Sequence, residues 1–215
     1  MCSNIAIFPD DPTISFLFPL KDLFKELGIP IITFSDEVDS ISKAKECLKR
    51  EDISKIFFFG HGSSYCLYGP KQCTFLKEED LELLKGKTII ALACRSEEFL
   101  ANKCEDITYL GFGNLPTDWG YIEGLRDIED PNAYEFLSEE LVKLFSDELC
   151  NVFKRSILEA SKFDLDVLIL YKKLQLHFNK IIAETLVSKS IEGYREFVDF
   201  VYGIRTQMKI NLLRS

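Results

Sequence analysis

The amino-acid sequence predicts an α/β fold, a mostly parallel sheet flanked by helices with a helical extension at its carboxyl end. Short runs that are apolar at nearly every position, such as Ile56-Phe57-Phe58-Phe59 and Ile89-Ile90-Ala91-Leu92, alternate with stretches of helical spacing. Strands apolar at every position are buried on both faces, the pattern of a parallel sheet covered by helices on each side. Beyond residue 130 only the helical period persists. The chain therefore divides into an α/β domain over 1–130 and helices packed on it over 131–215.

Ile5–Phe8 reads as the first strand, ended by the turn residues Pro9-Asp10-Asp11-Pro12. Ser15 to Leu27 has helical spacing (Phe16, Leu20, Leu23, Phe24, Leu27), closed by Gly28 in the position just past a helix end. Pro30 opens a second strand, Ile31–Phe34, and Val38–Arg50 is a second helix. Ile53–Phe59 is the third strand, Glu78–Leu84 a short helix, Thr88–Ala93 the fourth strand, Ser96–Lys103 a helix and Ile107–Phe112 the fifth strand. Three amphipathic helices follow, marked by Leu137, Leu141, Leu149 and Phe153, then Val167, Leu174, Phe178 and Ile181, then Tyr194, Phe197, Val201 and Met208. Asp164 is placed to cap the second of these, and Ser188–Ser190 breaks the chain before the third. The apolar stripes read as core, with a partner-binding face on the last helix as the alternative. Internal repeats and low-complexity segments are absent.

A hydrophobic content of 47% with 28% charged residues describes an ordinary soluble globular protein. No run approaches the ~18 apolar residues that span a bilayer, and Met1-Cys2-Ser3-Asn4 lacks the basic start of a signal peptide. A cytosolic protein without a membrane partner is expected. The net charge of −9 is uneven: residues 131–215 hold 12 basic and 12 acidic side chains, so the first 130 residues carry the entire excess. Such a domain repels phosphate backbones, which argues against nucleic acid as partner and favours a basic peptide or protein surface.

Seven cysteines occur without paired C-x-x-C spacing, so neither a metal nor another cofactor is expected. Cys2, Cys47, Cys66, Cys73, Cys104 and Cys150 read as small hydrophobes of a reducing compartment. Cys94 differs by position. The strand Ile56–Phe59 runs into Gly60-His61-Gly62, and the strand Thr88–Ala93 runs into Cys94-Arg95-Ser96. The chain has only two histidines. In an open parallel sheet, function collects at the carboxyl ends of the strands, and adjacent strands lie about 5 Å apart. His61 as base and later acid, with Cys94 as thiolate nucleophile at a helix start, forms a thiol–imidazole pair. The amides of Gly62 and Cys94 are placed to bind an oxyanion. The alternative is a histidine and a cysteine buried at strand ends with no substrate.

A strand ending in His61-Gly62 and a later one ending in Ala93-Cys94-Arg95-Ser96 resemble the caspase-like cysteine peptidases, and most closely their prokaryotic CHAT-domain branch, related to separase. Leu92-Ala93 precedes Cys94 where caspases carry Gln-Ala, Ser96 replaces a glycine, and His61 lies nearer than the roughly 50 residues usual upstream. The CHAT pattern, alanine–cysteine followed one residue later by serine, fits better, although Glu97 stands where glycine usually follows. Tyr109-Leu110-Gly111-Phe112-Gly113-Asn114-Leu115-Pro116-Thr117-Asp118 resembles the strand and loop after the nucleophile, and the helix carrying Phe145 and Ile157-Leu158 resembles the family's carboxyl-terminal helix. The resemblance covers roughly residues 1 to 160.

It implies a caspase-like fold and a cysteine endopeptidase that cleaves a protein substrate. It further implies that Asp118 binds a basic side chain before the cut, with Glu97, Glu98 and Glu123 as acidic alternatives otherwise read as surface residues. Relatives in bacteria serve antiviral defence or programmed cell death under a sensor partner, so a regulatory protein partner is expected. The rival reading is a catalytically inactive caspase-like interaction protein. Arg95 suits either an acidic contact or exposure, Trp119 reads as loop packing, and His177 lies within a helix beside Lys173, outside any site.

Overall fold

The computed structural model describes residues 3–102, 105–128 and 131–213. Along the chain run β1 (Ser3–Pro9), α1 (Phe18–Glu26), β2 (Ile31–Phe34), α2 (Val38–Lys49), β3 (Ile53–Phe59), β4 (His61–Gly62), β5 (Cys66–Tyr68), β6 (Thr74–Lys77), β7 (Thr88–Leu92), α3 (Ser96–Ala101) and β8 (Thr108–Gly111). The helices α4 (Trp119–Ile128), α5 (Glu139–Ala160), α6 (Val167–Ser188) and α7 (Tyr194–Gln207) follow, then β9 (Lys209–Asn211). They fall into two units, Met1–Asn114 with Met208–Ser215, and Leu115–Gln207.

The first unit holds a six-stranded sheet in the order β2-β1-β3-β7-β8-β9. The first five of these pair parallel and β9 pairs antiparallel to β8, so the sheet is mostly parallel and helix-flanked, as the sequence predicts. The alternating pleat divides each apolar strand between two cores. Ile5, Ile7, Ile56, Phe58, Ile89 and Ala91 belong to a buried cluster that includes Ala44 and Leu48 of α2 and Phe99 and Leu100 of α3. The intervening aromatic residues meet α1: Phe24 lies 5.0 Å from Phe57 and 5.6 Å from Phe59, ring centre to ring centre, while Phe8 stacks on Phe59 at 4.7 Å. Each such buried ring stabilises the fold by about 1.5–3 kcal/mol. This two-sided burial is why the strands show no polar alternation.

Several features of the fold depart from the sequence reading. The helix expected over Ser15–Leu27 is a 3-10 turn over Pro12–Leu17 followed by α1, with Pro19, which lacks an N–H, in the first turn of α1. Gly28 closes it at φ +68°, in the left-handed region glycine tolerates. A three-stranded antiparallel sheet, β4-β5-β6, occupies the stretch after His61 that the sequence leaves without strands. Met208 ends the helical pattern, and the next three residues form β9 on the sheet edge. The boundary expected at 130 falls at Asn114, because α4 groups with the helices and the chain returns to the first unit at Met208.

In the second unit, Ser138 caps α5 by accepting the Leu141 N–H (3.3 Å). Asp166, rather than Asp164, caps α6 by accepting the Ile169 N–H (2.9 Å); Asp164 has φ +54° in the preceding turn. The expected stripes form its core, including Phe145, Phe153, Leu174, Phe178, Phe197 and Val201. No helix among the described residues is long and apolar enough to cross a membrane.

Candidate functional site

β1 has β2 on one side and β3 on the other, so the chain steps outward from β1 to β2 and then returns across β1 to β3, reversing its direction along the sheet. Such a reversal opens a crevice at the carboxyl ends of the two strands. Three neighbouring strand ends deliver chemistry there: Asp11 and Thr13 follow β1, His61 follows β3, and Cys94 follows β7.

β3 and β7 lie side by side, and His61 and Cys94 each follow two residues after the last register pair of those strands. Phe57 faces Ile90, Phe58 faces Ala91 and Phe59 faces Leu92, a constant offset of 33 residues, and the same offset separates His61 from Cys94. The Gly60 N–H donates to the Leu92 carbonyl at 3.2 Å, the bond that closes the last pair of the ladder, Phe59 with Leu92. His61 then begins β4, paired with Tyr68, while Gly62 faces Leu67. The Ser63 N–H donates to the Cys66 carbonyl (2.9 Å). Bonded and non-bonded pairs alternate in an antiparallel ladder, so Gly62 occupies a non-bonded pair and its amide points away from β5. A Cβ at Gly62 would lie 2.7 Å from the Cys94 carbonyl oxygen and 3.1 Å from the Ala93 Cβ. Only glycine permits that approach.

Cys94 is half-buried in a tight turn between β7 and α3. Arg95 adopts φ +50°, unusual for a residue with a side chain, and its guanidinium holds Glu98 at 2.7 and 3.2 Å. Ser96, fully buried, fixes the turn: its hydroxyl donates to the Ala91 carbonyl at 2.7 Å and accepts the Phe112 N–H at 2.9 Å. The Arg95 N–H donates to the Gly113 carbonyl (2.9 Å) and the Glu97 N–H to the Phe112 carbonyl (3.2 Å). A Cβ at Gly111 would lie 2.6 Å from the Glu97 backbone, so glycine there lets α3 close against β8.

His61 is held from the β1 side. Its Nε2 lies 2.7 Å from the Thr13 Oγ1 and 3.5 Å from the Asp11 Oδ2. The Asp11 Oδ1 accepts both the Thr13 N–H (3.0 Å) and the Thr13 hydroxyl (2.7 Å), which caps the 3-10 turn. The Asp11 side chain is 9% exposed and that of His61 36%. The sequence reading takes Asp11 as a turn residue and passes over Thr13. Asp-x-Thr at a strand end is the one local signal for this arrangement, a side chain bonding to the backbone two residues on. It does not name the histidine 50 positions away.

The other candidates have contacts of their own. Asp118 belongs to the second unit, where its Oδ1 accepts the Tyr121 N–H (2.9 Å) at the start of α4. Glu97 is buried rather than on the surface: its side chain is 7% exposed, with Oε2 accepting the Glu98 N–H (3.0 Å) and Oε1 3.9 Å from the Lys209 Nζ. Burial pushes its carboxyl above the usual range, against the weaker effects of that N–H and of Lys209. Glu123 is exposed on α4. The Arg126 guanidinium lies over the Trp119 ring, 4.9 Å from its centre. His177 and Lys173 share the Glu159 carboxylate at 3.1 and 2.7 Å.

Among the remaining thiols, Cys150 is buried and pushed up to about 11 by desolvation, and burial likewise raises Cys73. The Cys66 Sγ is 3.7 Å from the Ser63 hydroxyl, which lies 3.3 Å from the Tyr68 hydroxyl. Cys47 is half-buried, and Cys2 and Cys104 lie outside the described residues. Among the described residues, no cluster of three or more His, Cys, Asp or Glu side chains is placed to hold a metal ion. Comparison with family models and with curated proteins finds no match for this chain.

Proposed function

We propose that this chain is a cysteine endopeptidase of the caspase-like type, with His61 as acid–base and Cys94 as nucleophile. One observation carries the reading: at the carboxyl edge of a mostly parallel sheet, His61 and Cys94 each follow two residues after Phe59 and Leu92, the last register pair of the neighbouring strands β3 and β7. Support also comes from the Gly62 backbone lying against Cys94.

The imidazole takes the Cys94 thiol proton as the sulfur bonds to the carbon of a peptide carbonyl. Negative charge develops on that carbonyl oxygen, within reach of the Gly62 and Cys94 amides acting as oxyanion donors. Collapse breaks the C–N bond, and the imidazolium gives its proton to the leaving amine. Water then attacks the thioester with the imidazole as base, releasing the acid and the thiol. The substrate is a protein or peptide cut after a basic residue, a preference that rests on the family resemblance and on the acidic excess of the first 130 residues. Control by a sensor protein in a defence or cell-death response completes the proposal.

A cleavage profile on a peptide library tests it. Wild type is expected to cut, while Cys94→Ala and His61→Ala each lose activity by orders of magnitude, the double variant scarcely more than either. Cleavage that survives Cys94→Ala overturns the assignment. No cleavage by wild type, with or without a partner, favours the inactive interaction protein.

A further inference from the structure

We propose that Asp11 and Thr13 are positioning residues for His61, fixing its ring with the proton on Nε2 and leaving Nδ1 as the proton acceptor. The inference rests on the reading of His61 and Cys94 as the reacting pair.

Hydrogen counting decides the direction of the chain of bonds. The Thr13 hydroxyl has one hydrogen and two close neighbours, the Asp11 Oδ1 and the His61 Nε2, each at 2.7 Å. A carboxylate oxygen only accepts, so the hydroxyl hydrogen goes to Asp11. The hydroxyl oxygen then has only lone pairs to offer His61, and Nε2 must be the donor. The opposite direction would set the Asp11 and Thr13 oxygens lone pair against lone pair at 2.7 Å.

Asp11 itself is fixed. It is 7% exposed, and Oδ1 also takes the Thr13 N–H as the cap of the turn over Pro12–Leu17. The orientation therefore comes from the backbone of β1 and its following turn, independent of β3 and β7, which deliver the histidine and the cysteine.

The consequence for the reaction is specific. The thiol proton passes to Nδ1, and Nε2 keeps the proton it already donates to Thr13. The ring becomes an imidazolium facing the Asp11 Oδ2, 3.5 Å from Nε2. When Nδ1 releases its proton to the leaving amine, the ring returns to the same tautomer. A histidine free to take the other tautomer would present N–H to the thiol and accept nothing.

Nitrogen-15 NMR of histidine-labelled protein reads this directly. The chain has two histidines, so His177→Gln, in the second unit, leaves His61 as the one labelled ring. At a pH where the ring is neutral, the shifts are expected to report the Nε2–H tautomer. Thr13→Val should mix the tautomers and lower kcat/KM by about a hundredfold, and Thr13→Ser should recover both relative to valine. Asp11→Asn keeps an oxygen for the Thr13 hydroxyl, so it should hold the tautomer while slowing cleavage.

An Nδ1–H ring in the parent, or a ring unchanged by Thr13→Val, overturns the inference even if cleavage proceeds. A parent protein that cleaves nothing, yet shows an Nε2–H ring that Thr13→Val mixes and Thr13→Ser restores, sustains the positioning role and removes the peptidase reading.

Discussion

Gly62 and Cys94 meet backbone to backbone: a Cβ on the glycine would stand 2.7 Å from the cysteine's carbonyl oxygen. That oxygen belongs to the main chain of a tight turn, not to the free end of a flexible side chain, so it cannot yield without moving the turn. Gly62→Ala is expected to cost about 1–3 kcal/mol of stability and to reduce cleavage by about a hundredfold through displacement of the thiol. Gly28→Ala is the comparison. Nothing lies within 4 Å of a Cβ there, and its φ of +68° strains the backbone alone, costing about 1–2 kcal/mol with cleavage unchanged per folded molecule. Equal effects on cleavage from the two substitutions would remove Gly62 from the site.

Ser96 joins the end of β7 to the end of β8. Its hydroxyl donates to the Ala91 carbonyl and accepts the Phe112 N–H, with no exposure to solvent. In Ser96→Ala the Phe112 N–H loses this acceptor in a site closed to water, a loss of about 1–3 kcal/mol, while the Ala91 carbonyl still accepts the Ala93 N–H at 3.1 Å. Chemical denaturation should show that loss. Cleavage should fall further than the folded fraction accounts for, because the anchor sits two residues from Cys94. Wild-type stability in the alanine variant would mean that another group satisfies the Phe112 N–H.

How far the sequence reveals this arrangement depends on the length of each signal. The ends of β3 and β7 are legible because Ile56–Phe59 and Ile89–Leu92 are apolar throughout and stop at a glycine and a cysteine. Serine two residues after the cysteine is legible as a motif, although its bonds to two strands are not. The β4-β5-β6 sheet is illegible because its strands are two to four residues long and interrupted by Gly69, Pro70 and Lys71. The edge strand β9 has three residues and pairs with β8 about a hundred positions earlier, a relation no local pattern encodes. Asp11 and Thr13 look like ordinary turn residues, since their partner is defined only by the adjacency of β1 and β3. Glu97 looks exposed in a run of charged residues, and only the close approach of α3 to Gly111 buries it.

Glu97 supplies a pH dependence whose sign is set by which effect wins. Burial favours its neutral form, while the Glu98 N–H and Lys209 favour the charged one, and burial is the largest. The Lys209 side chain is 62% exposed, so water screens its attraction. With the folded-state carboxyl raised, the unfolded chain gives up this proton first as pH rises. Between the ordinary glutamate range and the raised value the folded state holds more protons, so stability falls with rising pH through that window. Glu97→Gln keeps an acceptor for the Glu98 N–H and removes the titration. Its Tm is expected to exceed that of wild type at pH 7, with the difference shrinking as pH drops below the ordinary glutamate range. A glutamine variant less stable than wild type at pH 7 would show that the Lys209 contact outweighs desolvation.

Asp118 has a structural task that must be separated from the proposed recognition of a basic side chain. Its Oδ1 accepts the Tyr121 N–H at the start of α4, a capping interaction whose loss to alanine costs about 0.5–2 kcal/mol. Asparagine caps as well as aspartate does, so Asp118→Asn retains the helix start and removes only the negative charge. A carboxylate that pairs with a substrate guanidinium in a partly desolvated pocket contributes strongly, and stranding that charge costs on the order of 2–5 kcal/mol. If Asp118 receives the basic residue, Asp118→Asn lowers kcat/KM for lysine and arginine substrates by at least about tenfold, leaves Tm near wild type, and spares alkylation of Cys94. Asp118→Ala loses both the specificity and the cap, and so falls in Tm as well. A library profile showing cuts after aspartate or apolar residues, or an asparagine variant with undiminished preference for basic ones, would reject Asp118 as the recognition residue while leaving His61 and Cys94 in their roles.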